Sequence, residues 1–363
     1  MRWSPVLLVS LSLALTVVGG VVAAWHRGDR SSPVAWQPSD PQPLRPDLRL
    51  RSAERFAEGL VAGPEDVAID PQGRVVVGDA QGRIQRVRVS EGDESVETLV
   101  ETGGRPLGLA WDPEGALLIC DADRGLLRWT EDGGLRTLST AADGLPFGFT
   151  NDVDVGPDGV VYFSDASWRY GIDDYVVDLL DGHPRGRLLR YDPVTRETST
   201  LLSELAFANG VAVDPSGDYL LVAETWRYRV LRYWLRGPRS GQAEPFIEGL
   251  DGFPDGVSAV PADEPGPVRF WVALFAPRRS ISDFVASRPN LRRVVLGLPR
   301  ESWPQPRRAG LVLGLDADGA VIETLADPSG DRVWGVTSVE QRGGQLYLGN
   351  LHEPHLARVG VPR

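Results

Sequence analysis

The sequence predicts an all-β protein, a six-bladed β-propeller with an N-terminal transmembrane helix. Three observations support this fold class. A short turn motif recurs six times, glycine and proline are plentiful at short intervals (41 and 29 residues), and an apolar stretch precedes the repeats. Hydrophobic residues make up 42% of the 363-residue chain, which is enough for a large buried core.

The first element is the apolar stretch from Pro5 to Ala24. Its length of about 20 residues is that of a bilayer-spanning helix, whereas the apolar core of a cleaved signal peptide is usually shorter. We therefore expect residues 1–27 to anchor the protein in a membrane, with the propeller outside the cytoplasm. Small residues at 22–24 leave an alternative open, in which cleavage releases a secreted or periplasmic protein. Residues 28–47, rich in Pro, Ser and Asp, are expected to form a linker.

The propeller is predicted for residues 48–363 from the repeat. Each copy combines a short apolar strand, a turn and a second strand, and the copies begin at Glu65, Pro106, Asn151, Asn209, Asp255 and Trp334. A four-stranded blade needs about 40 to 45 residues, so the longer intervals after the third and fifth starts predict insertions at 166–185 and 277–308. A β-sandwich with glycine-rich turns would not keep so regular a period.

The two insertions carry different side chains. The first contains Trp168, Tyr170 and Tyr175, which could line a hydrophobic substrate pocket or simply cover a loop. The second is rich in Arg, and its apolar positions predict one or two amphipathic helices. Such helices could contact anionic lipid headgroups, or form an ordinary solvated basic face.

Charge and cysteine content exclude two further features. The net charge of −12 argues against a nucleic-acid-binding surface. Cys120 is the only cysteine, so no disulfide can form within the chain.

Polar residues recur at the start of four of the six repeats: Glu65, Asn151, Asn209 and Asp255. The innermost strand of each propeller blade runs along the central channel, so equivalent positions lie on a ring around one axis. An isolated Asn usually marks a turn. Here each Asn directly precedes an apolar strand at the same repeat position as the two carboxylates, which predicts a shared site.

Two carboxylates and two amides offer only oxygen ligands, which suit Ca²⁺, with Mg²⁺ or Mn²⁺ less suitable. Four protein ligands would leave room for water and a substrate oxygen, because calcium takes about six to eight ligands. Asp66 and Asp152 directly follow two of the ring residues. They could hold a second, structural metal, or accept hydrogen bonds from backbone N–H groups.

Several short segments carry a family resemblance, and they are specific only when taken together: Gly63-Pro64-Glu65, Arg105-Pro106-Leu107-Gly108, Phe149-Thr150-Asn151-Asp152, Tyr162-Phe163-Ser164-Asp165, Gly186-Arg187-Leu188-Leu189, Asn209-Gly210-Val211, Val222-Ala223-Glu224-Thr225, Gly252-Phe253-Pro254-Asp255 and Leu346-Tyr347-Leu348-Gly349. With them the chain resembles the strictosidine synthase-like family of calcium-dependent propellers. That family includes the adipocyte plasma membrane-associated proteins and is related to gluconolactonase, regucalcin and the paraoxonases.

The resemblance implies a calcium ion in the channel, held by Glu65, Asn151, Asn209 and Asp255, and hydrolysis of an aryl ester or lactone. In such a reaction the cation polarises the carbonyl, and a water activated by Asp255 or Glu65 attacks it. Two alternatives stay open: a non-catalytic binding propeller stiffened by its metal, and a strictosidine synthase-like lyase.

The chain departs from the related families at three places. Gly256 stands where the membrane-associated proteins often have Asn. Arg105-Pro106-Leu107 stands where paraoxonases place a catalytic His. Residues 333–337 contain no carboxylate, whereas strictosidine synthase uses a Glu at the opening of its last blade.

Overall fold

The computed structural model describes residue 20 and residues 23–25, 32–90 and 93–362. The predicted membrane anchor at residues 1–27 lies largely outside this described part. Among the described residues, none of the helices combines the length and the apolar character needed to cross a bilayer.

The chain divides into two compact units, and the larger one comprises Ser39–Asp173, Pro184–Arg278 and Pro306–Arg363. Its described residues form six four-stranded antiparallel sheets, which confirms the predicted six-bladed propeller. Blades one to three contain β2 (Val67–Ile69), β3 (Val75–Gly78), β4 (Arg83–Ser90) and β5 (Asp93–Glu101); β6 (Pro106–Trp111), β7 (Leu117–Asp121), β8 (Gly125–Thr130) and β9 (Gly134–Ser139); and β12 (Thr150–Val155), β13 (Val161–Asp165), β14 (Gly186–Asp192) and β15 (Glu197–Leu205).

Blades four to six contain β16 (Ala208–Val213), β17 (Tyr219–Glu224), β18 (Arg229–Trp234) and β19 (Ala243–Glu248); β20 (Gly252–Ala259), β21 (Phe270–Pro277), β22 (Gly310–Leu315) and β23 (Val321–Asp327); and β24 (Val336–Arg342), β25 (Gln345–Asn350), β26 (Leu356–Gly360) and β1 (Glu54–Phe56). A separate two-stranded ribbon pairs β10 (Ala141–Ala142) with β11 (Leu145–Pro146). Short 3-10 helices occur at Leu48–Ser52, Ile172–Asp174, Thr225–Arg227 and Arg300–Ser302.

The propeller closes through a strand from the opposite end of the chain. β1 pairs antiparallel with β26, so the sixth blade takes its outermost strand from the N-terminal side of blade one. The inner strands β2, β6, β12, β16, β20 and β24 each contact the inner strands of both neighbouring blades. The sheets therefore form a complete circle, which leaves only short edges.

The core lies between the blades. The middle strands β7, β13 and β17 are buried at every position, because each is sandwiched between neighbouring sheets. Buried Trp271 of blade five packs with residues of blade six, and its indole N–H donates to Gln341 at 2.7 Å. This explains why these strands are continuous apolar runs rather than strictly alternating ones.

The smaller unit comprises residues up to Pro38, together with Asp174–His183 and Arg279–Gln305. Its described helices are α1 (Tyr175–Asp181), α2 (Ser280–Ala286) and α3 (Pro289–Leu296). Proline at the first position of α3 has the fixed φ that a helix start requires, and Gly182 ends α1 in the left-handed conformation. The second insertion thus contains two helices, as its periodicity predicted.

Acidic side chains at the ends of second strands hold the adjacent loops. In blade three, the Asp165 carboxylate accepts hydrogen bonds from the backbone N–H groups of Gly148 and Phe149. It also pairs with Arg187 at 2.6 Å, and both side chains are almost fully buried. The loop that leads into the inner strand is therefore fixed by a desolvated ion pair.

We expect Asp165→Ala to destabilise the protein by about 3–5 kcal/mol, because it leaves the Arg187 guanidinium buried without its partner. The measurement is the free energy of unfolding in urea. Asp263→Ala is the matched control, since the Asp263 carboxylate is 68% exposed and pairs with the surface residue Arg342. That change should cost less than about 1 kcal/mol. Equal losses for the two variants would contradict the assignment.

Candidate functional site

Five of the six inner strands carry a one-residue β-bulge at the same place. Each bulge inserts an extra residue between two positions that pair with the second strand: Pro106 and Leu109 in β6, Thr150 and Val153 in β12, Ala208 and Val211 in β16, Pro254 and Val257 in β20, and Val336 and Ser338 in β24. Bulges re-aim side chains and are frequent beside functional sites.

The bulges place three of the predicted ring residues at equivalent positions. Asn151, Asn209 and Asp255 each directly follow the first paired residue, while Glu65 lies just before β2. All four are buried, with exposed fractions between 4% and 7%. The Asn209 side chain is hydrogen-bonded to Asp255, and the charge of Asp255 acts on Glu65 across the channel. The structure therefore brings Glu65, Asn209 and Asp255 together and puts Asn151 at the matching place in blade three.

The bulges also correct the alignment of the repeats. In blade two the equivalent residue is Leu107 rather than Pro106, and in blade six it is Thr337 rather than Trp334. Sequence spacing missed both, because a bulge shifts the register without changing the apolar pattern. Thr337 is buried, and its hydroxyl donates to the carbonyl of Glu65 at 2.5 Å. It links the last blade to the first at the ring.

Glycine allows neighbouring inner strands to touch. A Cβ at Gly210 would collide with the backbone of Asp255 and Val257 in the next blade. A Cβ at Gly256 would lie 2.5 Å from the carbonyl oxygen of Thr337. In this chain the close approach of blades five and six therefore leaves no room for a Cβ at position 256.

The two ring carboxyl groups strongly prefer their protonated form. Burial, followed by the charges of Asp255, Asp66 and Asp152, raises the pKa of Glu65 well above its usual value, and Arg105 only partly opposes this. Burial raises the pKa of Asp255 to about 8, against the hydrogen bond from Asn209. Two desolvated acids that repel each other would be stabilised by a nearby cation.

The donor set fits a hard cation. The ring offers carboxylate and amide oxygens, without sulfur or imidazole, and this is the ligand chemistry of calcium. Among the described residues there is no cluster of three or more His, Cys, Asp or Glu side chains arranged for a metal. A metal at the ring would accordingly need the amides of Asn151 and Asn209 as well as its two carboxylates.

Asp66 and Asp152 each bridge two neighbouring blades. Asp66 accepts hydrogen bonds from the backbone N–H groups of Val67 at 2.7 Å and Leu109 at 2.8 Å. Asp152 accepts from Val153 at 2.8 Å and Val211 at 2.7 Å. These contacts match the structural role considered for both residues, and a second metal site remains only a prediction.

A cavity of about 440 Å³ lies along the inner strands on the side of Asp66 and Asp152. Its lining also includes Asp154 and Glu340. Burial raises the pKa of Asp154 to about 6, although its carboxylate accepts backbone hydrogen bonds from Val213 and Val155. This half of the channel is therefore acidic, but its aspartates already serve as links between strands.

A six-bladed propeller with a buried, oxygen-only polar ring in its channel defines the class of this protein. Models of two family segments match it: strictosidine synthase at residues 151–238 and the strictosidine synthase-like N-terminal region at residues 43–87. Adipocyte plasma membrane-associated protein from Homo sapiens is 35% identical over 361 residues, covering 89% of this chain and 84% of that protein. The chain belongs to the strictosidine synthase-like family.

Plant relatives and solved structures extend the comparison. Protein STRICTOSIDINE SYNTHASE-LIKE 7 from Arabidopsis thaliana is 33% identical, covering 98% of this chain and 97% of its own length. A gluconolactonase from Xanthomonas campestris has a TM-score of 0.60 at 18% identity, covering 92% of this chain and 98% of its own. Regucalcin from Agrobacterium tumefaciens, a calcium-binding protein, has a TM-score of 0.57 at 16% identity, with coverages of 85% and 94%. At these identities the solved structures show a shared fold.

The raised pKa of Asp255 predicts a pH-dependent stability in metal-free buffer. The folded protein holds a proton on Asp255 up to about pH 8, whereas the unfolded chain releases it near pH 4. Stability should therefore fall as pH rises from about 4 to about 8. Asp255→Asn should make this slope shallower by up to about 1.4 kcal/mol per pH unit.

Urea unfolding at several pH values in the presence of a chelator measures the slope. Asp318→Asn, which removes an exposed turn carboxylate, is the control and should leave the slope unchanged. If Asp255→Asn and the wild type have parallel pH profiles, the Asp255 carboxyl group is not held protonated in the folded protein.

Proposed function

We propose that this protein is a calcium-dependent hydrolase of esters or lactones. The observation that carries the proposal is the buried ring, in which Glu65 and Asp255 are both buried with raised pKa values, the charge of Asp255 acts on Glu65, and Asn209 is hydrogen-bonded to Asp255. A protein gains nothing in stability from two desolvated acids, so their placement favours a role in binding and chemistry.

Glu65, Asn151, Asn209 and Asp255 would hold the cation, for which Mg²⁺ or Mn²⁺ is a poorer match than Ca²⁺. When bound, calcium would supply Lewis-acid polarisation of the substrate carbonyl. Regucalcin from Agrobacterium tumefaciens, a calcium-binding protein, has a similar fold, which also favours calcium.

Asp255 is the preferred general base. Burial raises the pKa of this carboxyl group in the metal-free channel, and a bound cation would lower it again, which would leave the carboxylate free to take a proton. The hydrogen bond with Asn209 fixes the carboxylate, and buried Thr225 in turn accepts a hydrogen bond from the Asn209 amide at 3.3 Å. Asp255 would take the proton of the attacking water, and Glu65 is the second candidate for this role.

Ester or lactone hydrolysis is supported over the lyase reaction by the sixth blade. The bulge position there is Thr337, whose hydroxyl is already used in a hydrogen bond to the Glu65 carbonyl. No carboxylate stands at residues 333–337 to act as an acid or base for condensation. The same fold carries lactone chemistry in the gluconolactonase from Xanthomonas campestris.

Glu65→Gln, Asn209→Ala and Asp255→Asn should each weaken calcium binding by at least about tenfold, measured by isothermal titration calorimetry. A chelator should abolish hydrolysis of aryl esters and lactones. Asp255→Asn should in addition lower kcat by about 10²- to 10⁴-fold at saturating calcium, because it removes the base.

Asp154→Asn is the matched control, because Asp154 lies in the same channel but bonds only to backbone N–H groups of Val155 and Val213. Asp154→Asn should lower the melting temperature of the protein and leave its calcium affinity nearly unchanged. Chelator-sensitive hydrolysis that survives all three ring substitutions would refute the assigned site. Calcium binding without hydrolysis of any ester or lactone in a broad panel would favour the non-catalytic binding propeller.

We propose further that the protein is membrane-anchored through residues 1–27, with the propeller outside the cytoplasm. The apolar sequence from Pro5 to Ala24 and the name of the Homo sapiens relative, a plasma membrane-associated protein, support this.

The full chain should remain in the membrane fraction after washing with alkaline carbonate, whereas a chain that lacks residues 1–27 should be recovered in the soluble fraction. Immunoblotting of the two fractions measures this. Mass spectrometry of the full-length product is the accompanying control. A mature N-terminus directly after residues 22–24 would support the secreted or periplasmic alternative instead.

A further inference from the structure

Arg105 is a buried cation beside the ring. Its exposed fraction is 8%, and it lies two residues before the bulge position of blade two. Its Nη2 donates to the carbonyl of Gly63 at 2.8 Å, and its backbone N–H donates to Asp121 at 3.1 Å. Since Gly63 is two residues from Glu65, this contact holds the guanidinium next to the ring, where its charge acts on Glu65.

One end of this guanidinium has no acceptor. Among the described residues, the buried Nη1 of Arg105 has no hydrogen-bond partner. An unsatisfied buried donor on a permanent charge is costly, and it would be relieved by an oxygen that enters the site. Loop packing does not require such a donor, because Nη2 alone makes the contact to Gly63.

Trp334 supplies a second buried hydrogen-bond donor. The indole N–H of Trp334 is also buried without a partner among the described residues. The Trp334 ring stacks on His352 with ring centroids 5.9 Å apart, and Phe275 makes an edge-to-face contact with His352, also with centroids 5.9 Å apart. Burial, and then the charge of Arg105, lowers the pKa of His352, which places Arg105 near this aromatic wall.

A ligand for these two donors must supply hydrogen-bond acceptors. The acidic groups of Glu65, Asp79 and Asp121 act electrostatically on Arg105, so a dianionic phosphate would be repelled more strongly than a single carboxylate. A guanidinium is well suited to a carboxylate, with which it forms strong charge-assisted hydrogen bonds. Phe275 and Trp334 would pack against an apolar or aromatic portion of the same molecule.

We propose that Arg105 binds a carboxylate of the substrate, so that this enzyme acts on esters or lactones that carry a free acid group. The reaction in this statement rests on the function proposed above, whereas the carboxylate-binding subsite can be measured without turnover. Arg105 would determine substrate specificity, and the indole N–H of Trp334 would donate a second, uncharged hydrogen bond to the substrate.

The kinetic test uses the full calcium-loaded chain and two matched probes, the monophenyl ester of glutaric acid and the phenyl ester of glutaramic acid. They differ only in a carboxylate against a carboxamide. In Arg105→Met, kcat/KM for the carboxylate ester should fall about 10- to 100-fold more than for the carboxamide ester. Arg105→Lys keeps the charge but loses the planar guanidinium that can form two parallel hydrogen bonds. Its ratio of kcat/KM values for the two esters should lie between those of the wild type and Arg105→Met.

The binding test uses glutarate, which cannot be hydrolysed, in calorimetric titration of the calcium-loaded chain. Arg105→Met should weaken glutarate binding about tenfold or more, while the affinity for calcium alone changes less. Arg308→Met is the matched control, because Arg308 also stacks on Trp334, at 4.4 Å, but is solvent-exposed and pairs with Glu353. Trp334→Phe removes the indole N–H and keeps the ring, so it should weaken glutarate binding to a smaller extent.

The outcomes separate this inference from the proposed function. Selective loss of glutarate binding in Arg105→Met, in a protein that hydrolyses neither probe nor any ester or lactone of the broad panel, would support the subsite and refute the hydrolase. Equal losses for both phenyl esters in Arg105→Met and Arg105→Lys, with glutarate binding unchanged, would overturn the subsite and leave the hydrolase standing. If Arg105→Met does not fold, the test uses Arg105→Lys and Trp334→Phe instead. A larger loss of kcat/KM for the carboxylate ester than for the carboxamide ester supports the subsite, and equal losses overturn it.

Discussion

The candidate site depends on the close approach of neighbouring inner strands around the channel. Gly210 and Gly256 let blades four, five and six touch backbone to backbone. The bulges in five inner strands put one residue per blade at an equivalent position. The polar ring follows from this shared register.

Carboxylates in this channel fall into two groups according to their hydrogen bonds. Asp66, Asp152 and Asp154 each accept two backbone N–H bonds and link adjacent inner strands. Among the described residues, no backbone N–H donates to the carboxylates of Glu65 and Asp255, which are desolvated and act on each other. The first group stabilises the fold as it stands. The carboxylate oxygens of Glu65 and Asp255 remain available to a cation. This difference separates the candidate metal ligands from the structural acids.

Much of this could be predicted from the sequence, because the repeat is local and regular. Six turn motifs gave the blade count, and four polar residues at repeat starts gave the ring. Three features could not be predicted. Pairing of β1 with β26 joins residues from opposite ends of the chain and leaves no local pattern. The equivalence of Leu107 and Thr337 with the ring residues follows from bulges, which a strand period of two does not reveal. The orphan donor of Arg105 depends on side-chain contacts that no spacing encodes.

The site is chemically asymmetric, and this asymmetry restricts what it can bind. The carboxylates of Glu65 and Asp255 supply acceptors, while Arg105 and Trp334 supply buried donors that have no partner within the described part of the chain. A neutral ester without further polar groups would satisfy only the first set, with help from a cation, and leave the second unpaired at a cost in binding energy. A molecule with a reactive carbonyl at one end and a carboxylate at the other would satisfy both. Under the proposed function, discrimination against substrates that lack the acid group would follow from the same desolvation that makes the ring carboxyl groups weak acids.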